Sequence, residues 1–137
     1  MRNLHKREKI LYKIFLIGFG GFFGAIFRYI ISGSVQKWAK SIYFPYGTLA
    51  VNLIGCFVIG FLSCLMETRG FFSAELRSLI FIGILGAFTT FSTFSYETMN
   101  LINNGENLLA VANMGIHLVL GLASVWIGHI LAYQIWR

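Results

Sequence analysis

Charge is almost absent from four long stretches of the chain. Ile10 to Phe27 is interrupted only by Lys13, while Ile42 to Met66, Ser78 to Tyr96 and Asn107 to Trp136 contain no Asp, Glu, Lys or Arg. Each run is near or above the roughly 20 residues that cross the hydrocarbon of a bilayer. The pattern predicts four transmembrane helices, over about residues 10–31, 42–66, 76–100 and 107–136. The first follows a basic start, but no small-residue cleavage pattern ends it, so it reads as a retained helix rather than a signal peptide. Between the runs lie short polar links: Ser32-Gly33-Ser34 with the sole proline, Pro45; Glu67 to Glu75; and Asn103-Asn104-Gly105-Glu106-Asn107. Nothing outside the membrane is large enough to fold alone. The expectation is one all-α integral membrane domain over residues 1–137.

The third run is out of character. From Gly83 to Ser95 it carries two glycines and five hydroxyl residues where a lipid-facing helix would hold Leu, Ile or Val. A helix is expected to break there, and irregular backbone at membrane depth is tolerated only where it is buried in protein or lines a polar path. A break therefore implies a binding site.

Composition supports the membrane assignment. With 57% hydrophobic and 12% charged residues, 137 residues cannot hide their apolar surface in one soluble core. Enzymatic chemistry finds no foothold. His117 and His129 make no cluster with the distant Cys56 and Cys64, which read as small apolar fillers, and no phosphate-binding motif is present. A proton-coupled exporter would need an intramembrane carboxylate, whereas Glu67, Glu75, Glu97 and Glu106 are placed near span ends or in links.

Several residues invite a role in ion passage. Asn52 is an amide inside the second run that must hydrogen-bond something, either as glue between helices or as a donor to an anion. Phe91 and Phe94 fall close to one helical face, interleaved with Thr90, Ser92, Thr93 and Ser95; they are either packing or ring edges whose positive partial charge faces an anion. His117 is mid-span, where it is either a hydrogen-bonded structural residue or faces a wet path. Gly20 and Gly24 form a small-xxx-small pair suited to close helix contact.

Three motifs, in order and spacing, resemble the CrcB/Fluc family of fluoride channels: Gly20-Gly21-Phe22-Phe23-Gly24-Ala25-Ile26-Phe27-Arg28-Tyr29, Gly47-Thr48-Leu49-Ala50-Val51-Asn52-Leu53-Ile54-Gly55, and Gly86-Ala87-Phe88-Thr89-Thr90-Phe91-Ser92-Thr93-Phe94-Ser95. The resemblance covers nearly the whole chain. It implies an antiparallel dimer of four-helix subunits with two fluoride pores in the cell membrane, and a central structural sodium ion held by the backbone carbonyls of Gly86 and Thr89. By the same resemblance Phe91 and Phe94 flank the ion, Asn52 is the pore amide, Thr90, Ser92 and Thr93 are hydroxyl donors, and Arg28 draws anions into a vestibule. In the fourth helix the chain departs from the pattern, with Asn113 in place of a tyrosine and His117 in place of a serine or threonine; these are the candidate fourth-helix pore residues. The implied function is passive efflux of fluoride that entered as HF, with a non-conducting or partner-dependent subunit as the alternative. Basic residues add one expectation of their own. Arg2, Lys6, Arg7, Lys9, Lys13, Arg69, Arg77 and Arg137 share the side of the termini, against Arg28, Lys37 and Lys40 opposite, so 8 face 3 and the termini are expected in the cytoplasm. That bias sets a homodimer against a heterodimer with a related subunit of opposite orientation.

Overall fold

Five helical segments build the structure, a computed structural model that describes residues 2–69 and 72–136, with side chains described from residue 7 to 67 and from 72 to 136. Helix α1 (Arg2–Ala39) is far longer than the first apolar run, because charge ends a membrane span but not a helix. It stops where Lys40 takes a left-handed conformation, φ 51°. Helix α2 (Tyr46–Arg69) starts directly after Pro45, whose fixed φ suits a helix start. Gln36 ties this link together: its Nε2 donates to the carbonyls of Ser41 at 2.7 Å and Phe44 at 3.1 Å, and its Oε1 accepts from the Gly47 amide at 3.0 Å.

The third span is interrupted. Its first arm, α3 (residues 74–88), opens with Ser73 capping the amide of Leu76, widens into a π-helical stretch at Ser78–Leu85, and tightens again at Gly86–Phe88. Thr89 and Thr90 are extended, and helix resumes as α4 (Phe91–Asn103). After a turn through Gly105, φ 79°, α5 (Asn107–Trp136) closes the chain. Four of these helical units, with α3 and α4 counted as one, are long and apolar enough to cross a membrane.

Two close seams hold the helices together. α1 lies against α3, and α2 against α5. In the first seam a Cβ on Gly24 would strike the Ile84 carbonyl oxygen, one on Gly20 would come within 2.6 Å of the Leu79 carbonyl, and one on Gly83 within 2.8 Å of the Ile17 carbonyl. In the second, Gly60 meets the Val125 backbone and Gly128 the Phe57 backbone with no room for a side chain. Close backbone approach of this kind replaces hydrophobic driving force, which lipid does not supply. By contrast α4 packs only lightly, on α5 and α2. Its outer face, with Phe91 79% and Tyr96 68% exposed, is left bare by the other described helices.

Candidate functional site

The break in the third span is completed by a side chain from another helix. Asn52 on α2 accepts from the Thr90 amide through Oδ1 at 2.9 Å and donates from Nδ2 to the Thr90 carbonyl at 3.2 Å. One carboxamide thus stands in for both halves of a peptide group, satisfying the donor and the acceptor that the break would orphan in an apolar setting. Thr90 in turn caps α4: its Oγ1 accepts from the Thr93 amide at 3.2 Å, donates to Thr93 Oγ1 at 3.0 Å and lies 3.2 Å from Ser92 Oγ. Thr89 folds its hydroxyl back to the Leu85 carbonyl at 2.9 Å, and its methyl fills the space over Gly55, where a Cβ would collide with it.

These diversions redirect two amides away from the carbonyls that a continuous helix would give them. In a continuous helix Gly86 O would accept from the Thr90 amide and Thr89 O from the Thr93 amide. Both amides donate elsewhere, to Asn52 Oδ1 and to Thr90 Oγ1. Gly86 and Thr89 both line the same groove. Hard monovalent cations take oxygen ligands of this sort, so the pair fits a sodium ion. Gly86 itself is helical, at φ −63° and ψ −32°, and the break lies beyond it at Thr89 and Thr90. Its contribution is an uncovered backbone rather than unusual torsion angles: the nearest atom to a Cβ built there is the Phe81 carbonyl oxygen at 3.5 Å.

Two cavities meet at this point. A vestibule of about 750 Å³ is lined by Arg28, Thr48, Thr93 and Glu97 among others, and Thr90 forms part of its wall. A groove of about 580 Å³ carries Asn52, Thr89, Phe91, Phe94 and His117, and Thr90 belongs to this wall too. The Phe91 and Phe94 rings are 5.6 Å apart with planes at 48°. Of the residues singled out from the sequence, Asn52, Gly86, Thr89, Thr90, Phe91, Phe94 and His117 share the groove, whereas Arg28 and Thr93 face the vestibule. Ser92 is exposed at the start of α4, within reach of Thr90. Asn113 lines neither cavity. It is fully buried, with Nδ2 donating to Thr98 Oγ1 at 2.8 Å, and so joins α5 to α4.

Glu97, expected near a span end, lies toward the C-terminal end of the third span, which closes at Asn103. It sits midway along α4 on the vestibule wall, accepts from Thr48 Oγ1 at 2.7 Å, and has a buried Oε2 without a hydrogen-bond partner. Its spacing from Phe94 was legible; its facing Thr48, 49 positions away in sequence, was not.

Residues 15–129 match the family described as CrcB-like protein, Camphor Resistance (CrcB). The chain belongs to this family. A fluoride-specific ion channel of Methanocaldococcus jannaschii is 48% identical over 127 residues, covering 91% of this chain and 98% of that protein. Another, from Methanosarcina acetivorans, is 43% identical over 125 residues, 91% of this chain and 94% of its own length. A third, from Hydrogenovibrio crunogenus, is 44% identical over 116 residues, covering 85% and 87%. The CrcB-like relatives are thus named as channels, not enzymes, and they span the helices that carry the break, the groove and the vestibule.

Proposed function

We propose that this chain is a subunit of a fluoride-selective channel that lowers cytoplasmic fluoride by passive efflux, through pores in an antiparallel dimer with a structural sodium ion at its centre. The observation that carries the reading is the break at Thr89 and Thr90, completed by Asn52 and flanked by Phe91 and Phe94. The names of the relatives support it. Fluoride holds its water tightly, so a path that conducts it must offer substitute donors in succession. Arg28 draws the anion into the vestibule, and the Thr93 hydroxyl comes next, since the single Thr90 hydroxyl hydrogen is given to Thr93 Oγ1. Asn52 Nδ2 has a second hydrogen beyond the one given to Thr90. The edges of Phe91 and Phe94 then present positive partial charge on the groove side.

The carbonyls of Gly86 and Thr89 would hold sodium, which supplies a fixed positive charge beside the anion path. The exposed face of α4 is the natural site of the second subunit, since Phe91 is otherwise left facing outward. The basic-residue bias of 8 to 3 favours cytoplasmic termini and a related partner of opposite orientation over self-pairing. Arg137 lies outside the described residues, as do the side chains of Arg2, Lys6 and Arg69.

Fluoride efflux from proteoliposomes, followed with a fluoride electrode, tests the proposal. The chain, alone or with a related subunit, is expected to empty vesicles of fluoride but not chloride. Phe91→Ile and Phe94→Ile should each slow fluoride loss by about tenfold or more while the dimer survives, because apolar volume is largely kept. Efflux no faster than from empty vesicles under every pairing overturns it.

A further inference from the structure

We propose that His117 is a proton-operated donor in the anion path, so that fluoride conduction by this chain rises as pH falls. The inference rests on the groove being the fluoride path. His117 Nδ1 lies 3.0 Å from the carbonyl oxygen of Asn113, one turn earlier on α5. A carbonyl only accepts, so Nδ1 carries the hydrogen. A neutral imidazole has one N–H, and Nε2 is therefore a bare lone pair. That atom is buried and has no hydrogen-bond partner. The ring centroid lies 4.4 Å from that of Phe94, the planes tilted by 46°, and His117 lines the groove together with Asn52, Thr90 and Phe91.

An anion that reaches Nε2 from the groove thus meets one of two different groups. Neutral His117 offers electron density, which repels fluoride. Protonated His117 offers a charged N–H, which binds it. The Nδ1 hydrogen bond is kept in both states, so the ring stays in place and only the character of Nε2 changes. Among ordinary side chains, imidazole is the one whose charge changes between about pH 5 and 8.

Few other groups compete for this role. The elements packed on α5 are α2 and α4. From α2 the one titratable group on the groove is Cys56; α4 carries Tyr96 and Glu97, neither of which lines the groove, and Glu97 is hydrogen-bonded to Thr48 on the vestibule wall. On α5 itself His129 lies outside the groove, and no Asp, Glu, Lys or Arg among the described residues lines it.

Fluoride current across planar bilayers, which neutral HF does not contribute to, provides the test. With equal pH on both sides, the unmodified channel is expected to carry at least about threefold more current near pH 5.5 than near pH 7.5. His117→Gln and His117→Ser should conduct with no such dependence while eluting as the same species by size exclusion. Current that is flat with pH in the unmodified channel overturns the inference and leaves the channel reading standing. A pH dependence that persists in both variants assigns it to another group and also overturns it. Absence of fluoride current at every pH, with either partner arrangement, overturns the channel reading and this inference together.

Discussion

Asn52 does the work of a peptide bond. Its two hydrogen bonds to Thr90, at 2.9 and 3.2 Å, hold open a helix that would otherwise close on itself or leave polar groups stranded in hydrocarbon. Asn52→Ala orphans one donor and one acceptor in a part-buried setting, at up to about 1–3 kcal/mol each. Asn52→Asp retains the acceptor for the Thr90 amide but sets a carboxylate against the Thr90 carbonyl and against any anion in the groove. Thermal unfolding in detergent should show the alanine variant clearly destabilised, and the aspartate variant should lose fluoride flux beyond its loss of stability. Wild-type melting for Asn52→Ala would show that the break needs no cross-helix support. At this scale the sequence was informative about which residues matter and less so about what each does. An isolated amide in an apolar run signals an unmet hydrogen-bonding need, but its partner, 38 positions away, emerges only when α2 and the break are packed together. Asn113 shows the same limit: its polarity was visible, yet its partner is Thr98 rather than the groove.

Among the elements, the two glycine seams decide where the break can sit. α1 presses on the π-helical stretch at Ser78–Leu85 through Gly20 and Gly24, fixing the first arm, while α5 braces α2 through Gly60 and Gly128 so that Asn52 is held at the right depth. Gly24→Leu and Gly60→Leu each drive a side chain into backbone, so each should destabilise by about 1–3 kcal/mol or more. Gly18→Leu, where nothing lies within 4 Å of a Cβ, should be near neutral. Equal melting temperatures for the three variants would mean that the seams do not hold the fold. The apolar runs and the small-xxx-small pair made four helices and one close contact legible. The π-helical widening was hidden, because Ser78 to Leu85 reads as an ordinary apolar helix. So was the length of α1, since Arg28 and the Ser-Gly-Ser sequence end a hydrophobic pattern without ending a helix.

On the scale of the whole molecule, orientation is the open lever. A bias of 8 basic residues to 3 favours one insertion direction, so reporter fusions at the C-terminus should signal almost wholly from the cytoplasmic side. Comparable signals from both sides, with the chain expressed alone, would establish dual insertion and a homodimer. Thr90 belongs to both the vestibule and the groove, so at that point the wall between them is a single residue thick. In electrical terms, membrane voltage falls where water gives out, at about 2.3 kcal/mol per unit charge for each 100 mV. On the proposed channel reading, the electrical work on an ion is expected to concentrate at Thr90, where the two cavities meet. Arg28→Gln should lower current in a way that fades as salt screens the vestibule, leaving the current–voltage curve its shape. Thr90→Ser should bend that curve. Equal bending by both substitutions would move the barrier out to the vestibule, and the thin wall would no longer be where the field is spent.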